Sequence, residues 1–421
     1  MIRKVVLKNG LRILLMPHAS GVAASVLILV GTGSEYEKKS MNGISHFLEH
    51  LVFKGTARRP KPGTISQELD SLGAEYNAFT GEEYTGYWAK VQRGKIQKAI
   101  DIVSDLYLSP LFNPAEIEKE RGVVIEELNL YEDTPSRRVH NVFTELLYGD
   151  QPAGWDIGGR KEVIKKISRA NLITYRAAHY VPKATVVAVA GHFNERAILA
   201  QLKTLFGALP RGAKGKKARI KESQSHPHVA IRFKDSDQSH LVLGVRAFPI
   251  TDSRRHIVSV LGDILGGGMS SRLFRRIREE LGAAYYVRAG AELLQDHGYF
   301  SISSGVDHKK INMVIAAILE EMQKLRTALV PESELRKVKD HIAGGVLLGL
   351  ETADELASFY GGQEIVTGKM ISPEELLKKI ERVSREEVRT LAQQLFVNRS
   401  LNLAVIGPYK HAAPFARLLK L

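Results

Sequence analysis

An internal repeat constrains the fold of this chain more than any other feature of its sequence. The segment 164–169, IKKISR, is matched by 380–385, IERVSR, and extending the match without a gap aligns TVVAVAGH with LNLAVIGP. Each copy has the pattern of a helix followed by the apolar run of a buried strand. The distance between the copies is that of a whole domain and not of a solenoid repeat. We therefore predict two domains of the same fold.

The length of the chain agrees with this division. A chain of 421 residues is too long for one ordinary core, since domains typically contain about 100–200 residues. Between the two copies lies GALPRGAKGKK, a stretch rich in Gly, Lys and Pro that is typical of an exposed linker. We predict an N-terminal domain at 1–209, a linker at 210–227 and a C-terminal domain at 228–421.

Both halves are predicted to combine a group of strands with runs of helices. In the first half we predict strands near 5–16, 23–30, 75–79 and 85–91, and helices at 64–72, 96–108 and 114–131. In the second half we predict strands near 228–233, 240–248, 285–293 and 298–306, and helices at 254–265, 309–325, 332–348 and 353–367. This grouping predicts an α+β fold class, in which each of two homologous domains has a mixed, mostly antiparallel sheet with helices packed on one face.

Composition excludes several classes of protein. With 44% hydrophobic and 25% charged residues, the chain resembles a globular protein that dissolves in water. No run approaches the ~20 apolar residues of a membrane span, and the N-terminus alternates apolar and polar residues instead of resembling a signal or transit peptide. We therefore expect no membrane association and a cytoplasmic location. Because the chain has no cysteine, any metal must be bound by His and carboxylate side chains.

The net charge of +14 invites comparison with nucleic-acid-binding proteins. The basic residues are scattered, apart from short clusters at 214–217 and 275–276, and no aromatic and basic platform accompanies them. A solvated basic surface is the preferred interpretation, and we expect no nucleic-acid partner.

The sequence HFLEH is the strongest candidate for chemistry. In a helix, His46, Glu49 and His50 fall on one face, so that two imidazoles can bind one ion with a carboxylate beside them. The order HxxEH is the inverzincin signature, the reverse of the commoner HExxH. Two His ligands at this spacing suit zinc, a third protein ligand would leave one position for water, and Glu49 would take a proton from that water. The alternative is an ordinary amphipathic helix with solvated histidines.

A third ligand is expected on the helix AEIEKERGVVIEELNLYED. Glu127 shares a face with Val123, Val124, Leu130 and Tyr131, and a carboxylate on a buried stripe needs a partner such as a metal. Glu126 falls on a different face, with Gly122 and Asn129. Glu127 is therefore the favoured ligand. Glu120 is interpreted either as an outer residue that supports the site or as a solvated helix carboxylate.

These motifs give the chain a specific resemblance. HFLEHLVFKGT, followed by the second Glu of ERGVVIEEL, resembles the pitrilysin family of inverzincin zinc peptidases over nearly the whole chain, and most of all the branch that contains the mitochondrial processing peptidase β-subunit and its bacterial relatives. The resemblance implies that His46, His50 and Glu127 bind one zinc ion per chain. It implies in the same way that Glu49 activates the zinc-bound water as general base.

The resemblance also implies residues that bind the substrate. Asn77, Ala78, Phe79 and Thr80 match the edge strand to which a substrate peptide adds as an extra β-strand; the alternative is a plain strand end beside a Gly turn.

Further implied residues lie in the second half of the chain. The repeat places Gly262, Leu265 and Gly266 where the first half has His46, Glu49 and His50, so the second half is expected to bind no zinc. It retains LGGGMSSRLFRRIREELGAAYYV, in which Arg278 and Tyr285 match a family pair that binds the substrate and stabilises the oxyanion. Structural packing is the alternative role for Tyr285 and for its neighbour Tyr286.

Because one chain has both the zinc motif and the Arg/Tyr pair, the resemblance implies a homodimer that encloses a chamber. The expected function is that of a zinc metalloendopeptidase which cleaves peptides or unfolded segments. The alternatives are a non-catalytic scaffold subunit and the catalytic subunit of an obligate heterodimer.

Overall fold

The computed structural model describes residues 2–18 and 21–421. The strands β1 to β11 span Arg3–Val6, Arg12–Pro17, Ala23–Val30, Glu75–Thr80, Thr85–Gln92, Thr185–Gly191, His228–Phe233, Ser239–Arg246, Ala284–Leu293, Gly298–Val306 and Asn402–Gly407. The helices α1 to α15 span Ile44–Val52, Thr64–Ser71, Ile96–Leu108, Pro114–Glu132, Pro135–Tyr148, Lys161–Ile164, Arg169–His179, Glu195–Phe206, Arg255–Gly266, Ile311–Thr327, Glu332–Leu348, Ala353–Thr367, Pro373–Glu381, Arg385–Leu395 and Ala413–Ala416. A π-helical segment covers Phe274–Glu280.

The chain forms two compact units, and the predicted α+β class with a mixed sheet is confirmed in each. Helices cover both faces of each sheet, and not one face as predicted. The first unit contains Met1–Leu128, Asp156–Ala218 and Leu347–Met370. Its sheet has the order β1-β2-β6-β3-β5-β4, with β2 parallel to β6 and the other pairs antiparallel. The second unit contains the rest of the chain, and its sheet has the order β7-β11-β8-β10-β9, with only β11 and β7 parallel.

The predicted repeat is visible in this topology. In the first unit β6 lies between a parallel and an antiparallel neighbour, and β11 has the same position in the second unit. The helices that precede them, α7 and α14, both begin at a serine whose side chain accepts a hydrogen bond from the third helical residue, at Ser168 and Ser384. The match between 164–169 and 380–385 therefore marks equivalent elements of two similar units.

Both faces of the first sheet are apolar. Strand β3 has the sequence AASVLILV, and its side chains alternate between two cores. Val26 and Ile28 pack with α3 and α8 on one face, whereas Leu27 and Leu29 pack on the other face against Tyr360 of α12. A strand with apolar side chains on both faces needs cover on both sides of its sheet.

In each unit, this cover is provided by a helix from the other half of the sequence. Helix α12 comes from the second half of the sequence but packs on β3 and β6 of the first unit. In the second unit, α5 comes from the first half of the sequence and contributes Phe143 to a core with Val242 and Ile406. The compact units therefore differ from the contiguous ranges predicted for the domains, because each sheet has a second apolar face. Helix α5 was not among the elements predicted from the sequence.

The segment 210–227 has no helix or strand, as expected of a linker, but it is not exposed throughout. The ammonium group of Lys217 lies 2.6 Å from the Glu35 carboxylate and also pairs with Glu83, and both carboxylates are almost fully buried. The expectation of an exposed linker is therefore wrong at Lys217. None of the helices in the described part of the chain combines the length and the apolar character that a membrane crossing requires.

Candidate metal centre and active site

The HFLEH sequence lies in α1, and the start of this helix is built by residues around it. Gly43, the residue before the helix, has a φ of 92°, in the left-handed region that favours glycine. A side chain there would also approach the carbonyl oxygen of Gly158 to 2.5 Å. The buried carboxylate of Glu37 accepts hydrogen bonds from the backbone N–H groups of Gly43 at 2.6 Å and Ser45 at 2.8 Å. Glu37 thus satisfies donors that a helix N-terminus otherwise leaves unpaired.

Two histidines and one carboxylate converge at the other side of α1. Nε2 of His46 lies 3.3 Å from Nε2 of His50, because the two residues are one helical turn apart. Oε2 of Glu127, from α4, lies 3.5 Å from the first nitrogen and 3.2 Å from the second. The structure therefore brings together the three residues that the sequence predicted as ligands, while Glu126 lies exposed.

The spacing of these three atoms fits a zinc ion. Ligands at the corners of a tetrahedron around zinc, with bonds of about 2.0–2.1 Å, are separated from one another by about 3.3–3.4 Å. The observed separations of 3.2–3.5 Å match this edge length. Two imidazole nitrogens and a carboxylate oxygen are also a donor set that zinc prefers. All three atoms could therefore be ligands of one cation.

One part of the reasoning that led to Glu127 is wrong. The predicted buried stripe on α4 included Val123 and Leu130, but these side chains are 50% and 61% exposed. Of that stripe, only Val124 is fully buried. The covered face of α4 instead contains Ile117, Glu120, Val124 and Leu128, and Glu127 lies at its border. A helix face inferred from residue spacing alone is too broad to show which side chains at its border are buried.

The two histidines have opposite electrostatic environments. The pKa of His46 is lowered to about 4, chiefly by burial and in part by the neighbouring His50, while the charge of Glu127 opposes the change. Burial also acts to lower the pKa of His50, but hydrogen bonds to Glu127 and Glu120 and the charges of Glu127 and Glu49 outweigh it and raise the pKa. His46 is therefore a neutral imidazole at neutral pH, the form that binds a metal.

A buried carboxylate orients His50. Nδ1 of His50 lies 3.3 Å from Oε2 of Glu120, so a proton on this nitrogen would be donated to that carboxylate. In that tautomer Nε2, which faces His46 and Glu127, keeps its lone pair for a metal. The other oxygen of Glu120 pairs with the Lys54 ammonium group at 2.7 Å. Sequence analysis missed Lys54, although its position in the FKGT segment after the motif is a signal that could have found it.

Glu49 lies beside the three converging atoms and has a partner of its own. The Thr80 hydroxyl donates a hydrogen bond of 2.6 Å to Oε2 of Glu49. Burial raises the pKa of Glu49, an effect that the Thr80 hydrogen bond and the charge of His50 partly reverse. A carboxyl group with a raised pKa is a better proton acceptor than a fully solvated one.

The residues 77–80 predicted as a substrate-binding edge belong to β4, the last strand of the first sheet. This strand pairs with β5 alone among the described strands, so its outer edge has no strand partner. The N–H of Ala78 donates to Oδ1 of Asn77 at 2.9 Å. Asn77 and Phe79 point outward and are exposed, whereas Ala78 is buried. Thr80, at the end of the strand, reaches Glu49.

Arg278 and Tyr285 belong to the second unit. The Arg278 guanidinium lies 5.3 Å from the centre of the Tyr285 ring, within the range of a cation–π contact. Tyr285 is 75% exposed, whereas the hydroxyl of Tyr286 lies 3.1 Å from Nδ1 of His240. The two adjacent tyrosines are thus distinguished by the structure: the hydroxyl of Tyr286 has a hydrogen-bond partner in His240, whereas Tyr285 is largely exposed and contacts Arg278 through its ring.

The second unit is built without a counterpart of the metal centre. Helix α9 has the position that α1 has in the first unit, and it carries Gly262 and Gly266 where α1 has histidines. A side chain at Gly266 would approach the backbone nitrogen of Ala289 to 2.4 Å, and one at Gly262 would lie 3.2 Å from Gly290. The helix therefore packs directly on the edge strand β9, in the space that ligands would need.

An α+β fold with a His–His–Glu cluster and an adjacent carboxylate is the arrangement of a metallopeptidase, and comparisons with known proteins agree. The sequence model described as Insulinase (Peptidase family M16) matches residues 12–159, and that described as Peptidase M16 inactive domain matches residues 166–342. The chain belongs to peptidase family M16.

Relatives of known sequence support this assignment over the full length. The chain is 33% identical over 408 residues to the Bacillus subtilis (strain 168) protein named "Uncharacterized zinc protease YmxG", which covers 97% of this chain and 98% of the relative. It is also 33% identical over 405 residues to an "Uncharacterized zinc protease" of Rickettsia bellii (strain RML369-C), with 96% of each chain covered.

Solved structures show the same fold. A crystal structure of a protease from Helicobacter pylori superposes with a TM-score of 0.90 at 22% identity and covers 97% of this chain and 99% of the other. A structure from Pseudomonas fluorescens, described as a peptidase M16 inactive domain, superposes with a TM-score of 0.88 at 18% identity, with 97% and 98% covered.

Proposed function

We propose that this protein is a zinc-dependent metalloendopeptidase that cleaves peptides or unfolded segments. The observation that carries the proposal is the convergence of His46 Nε2, His50 Nε2 and Glu127 Oε2 at separations of 3.2–3.5 Å, with the Glu49 carboxylate beside them. These three residues would bind one zinc ion per chain. When bound, zinc polarises a carbonyl oxygen as a Lewis acid and lowers the pKa of water.

Glu49 is the proposed general base. Its carboxylate takes a proton from the attacking water and passes the proton to the nitrogen of the leaving amide, so that the group returns to its starting state. The partly buried position of Glu49, which raises its pKa, suits a group that must both accept and donate a proton. Glu120 keeps His50 in the tautomer whose Nε2 lone pair faces the site.

The free edge of β4 is the proposed binding site for the substrate backbone. An extended peptide that adds to this edge gains main-chain hydrogen bonds independent of its side chains. The exposed side chains of Asn77 and Phe79 are positioned to contact it. Ala78 contributes its backbone once its N–H, which donates to Oδ1 of Asn77 at 2.9 Å, is released to the peptide. This mode of binding requires an extended segment, which favours peptides and unfolded chains over folded proteins.

Arg278 and Tyr285 are proposed to bind the substrate and to stabilise the developing oxyanion, as donors supplied by a second copy of the chain in a homodimer. The exposure of Tyr285 and its contact with Arg278 support a pair held ready for a partner. Sedimentation of the active enzyme as a monomer would contradict the homodimer.

The main experiment measures cleavage of an unstructured peptide library together with zinc content. We expect the wild type to cleave, Glu49→Gln to retain its zinc but lose nearly all activity, and chelator-treated protein to recover activity when zinc is restored. Full activity in Glu49→Gln with zinc still bound would refute the mechanism.

Two alternatives are separated by the same assay on the purified chain alone. A non-catalytic scaffold subunit would show no cleavage in any variant, whether or not zinc is bound. The catalytic subunit of an obligate heterodimer would cleave only after a partner chain is added, in spite of its own Arg278 and Tyr285.

A further inference from the structure

The hydroxyl group of Thr80 makes a contact with the proposed general base that a substrate-binding role does not explain. Its distance to Glu49 Oε2 is 2.6 Å, the length of a strong hydrogen bond to a charged acceptor. No described residue donates a hydrogen bond to the other oxygen, Oε1. The two oxygens of Glu49 are therefore distinguished: one is bound by the protein, and the other is available for a reacting molecule.

A carboxylate needs such a contact if it is to keep one orientation. The terminal torsion of a glutamate side chain is broad and roughly two-fold, so it does not by itself fix the plane of the carboxylate. The charged neighbours of Glu49 pull in opposite directions, since His50 attracts it and Glu127 repels it. A hydrogen-bond donor of fixed position can select one orientation of the Glu49 carboxylate.

The backbone holds Thr80 in a fixed position. It is the last residue of β4, where it pairs with Thr85 of β5, and the next N–H, of Gly81, donates to the carbonyl oxygen of Tyr84 at 2.9 Å. The carbonyl oxygen of Gly81 in turn accepts a hydrogen bond of 3.1 Å from Ser34. This turn between the two strands is thus held by hydrogen bonds within the hairpin and by one from Ser34.

Two further contacts anchor the same turn from outside the sheet. A side chain at Gly33 would lie 2.1 Å from the carbonyl oxygen of Gly81, so the loop that contains Gly33 packs directly on the turn. The buried ammonium group of Lys217 pairs with Glu35 of that loop and with Glu83 of the turn. The position of the Thr80 hydroxyl is therefore determined by residues distant in sequence.

We propose that Thr80 is a positioning residue, which holds Glu49 in the orientation that directs Oε1 at the attacking water. Because Thr80 ends the strand that would bind the substrate, the same strand aligns the peptide backbone and the base. This inference rests on the proposed function, and it assigns to the side chain of Thr80 a role separate from the backbone contacts of β4.

The test compares three variants by steady-state kinetics with a peptide that the wild type cleaves, together with zinc content and thermal stability. Thr80→Val keeps the size and strand preference of threonine but removes the donor, so we expect kcat to fall about ten- to a hundredfold, as for loss of a hydrogen bond to a charged group. We expect KM to change less than about threefold, because the backbone that binds substrate is retained. Thr80→Ser restores the hydroxyl and should recover most of kcat.

Thr85→Val is the matched control. Thr85 is paired with Thr80 in the same hairpin, and its buried hydroxyl donates to the carbonyl oxygen of Thr32 at 3.0 Å. The same substitution there should lower thermal stability and leave kcat near that of the wild type. If Thr80→Val does not fold, Thr80→Ala replaces it under the same criteria.

The outcomes separate this inference from the proposed function. Wild-type kcat in folded, zinc-loaded Thr80→Val would overturn the positioning role while the endopeptidase function stands. An equal loss of kcat in Thr80→Val and Thr80→Ser would also overturn the positioning role, since the hydroxyl group would then not matter. Absence of cleavage by the zinc-loaded wild type would instead refute the proposed function.

Discussion

Replacement of Glu120 by Gln is expected to weaken zinc binding although Glu120 is not one of the three converging ligands. Its two oxygens serve two different donors, Nδ1 of His50 at 3.3 Å and Nζ of Lys54 at 2.7 Å. A glutamine has one acceptor oxygen and one NH2 group, which is a donor only. One of the two contacts must therefore be lost, and the NH2 group must face either an imidazole N–H or an ammonium group.

The magnitude follows from the role of such outer contacts. Loss of a residue that orients a metal-binding histidine typically lowers metal affinity or activity by about 10–100-fold, which corresponds to about 1.4–2.7 kcal/mol. Glu120 is only 6% exposed, so water replaces the lost contact poorly. We expect the zinc dissociation constant to rise within this range, and Lys54→Met to cause a smaller increase.

The assay is a competition titration with a chromophoric chelator at constant pH. Glu118→Gln is the matched control, because Glu118 lies on the same helix and pairs at the surface with Arg121. It should bind zinc as tightly as the wild type. A Glu120→Gln variant whose zinc affinity equals that of the control would refute the argument that this carboxylate orients His50.

Two other predictions concern ligand identity and pH. Glu127→Gln should lose zinc far more readily than Glu126→Gln, because Glu127 lies 3.2 Å and 3.5 Å from the histidine nitrogens whereas Glu126 is exposed; equal zinc contents after dialysis would contradict the assignment. Burial raises the pKa of Glu37 from 4.5 to about 7. Between these values the folded chain holds a proton that the unfolded chain has released, so the free energy of unfolding should fall by about 3 kcal/mol as the pH rises through this window and then level off. Glu37→Gln removes this contribution. Urea midpoints measured at pH 5 and pH 8 should therefore fall more with rising pH in the wild type than in Glu37→Gln. An equal fall in both proteins would contradict the contribution of Glu37.

Local patterns in the sequence were sufficient for most of the fold. Helices α3, α11 and α12 were predicted with the bounds that the structure gives them, and so were strands β7 and β10. Their bounds follow from hydrophobic patterns and from local signals at their ends, such as the Thr352 capping box and Gly368 that flank α12. The repeat likewise predicted that the two sheets would be built alike, and it predicted the loss of the histidines from α9.

Contacts between distant segments could not be predicted in this way. Nothing in the sequence around 353–367 indicates that α12 covers the first sheet, because its apolar face fits any apolar surface of suitable shape. The buried ion pair of Lys217 with Glu35 was not predicted for the same reason, since a lysine in a Gly-rich stretch is expected to be solvated. Glu127 was favoured partly because Val123 and Leu130 were expected to be buried on the same helix face, but both are exposed.

The sequence by itself determined that His46, Glu49 and His50 share one face, because helical periodicity places residues three and four apart side by side. It also determined the chemistry of the candidate site, since a chain without cysteine has only imidazoles and carboxylates to offer zinc. Only the tertiary structure decided which carboxylate completes the cluster and which hydroxyl holds Glu49. Those contacts depend on how α4 and β4 pack against α1, and packing is a property of the whole first unit.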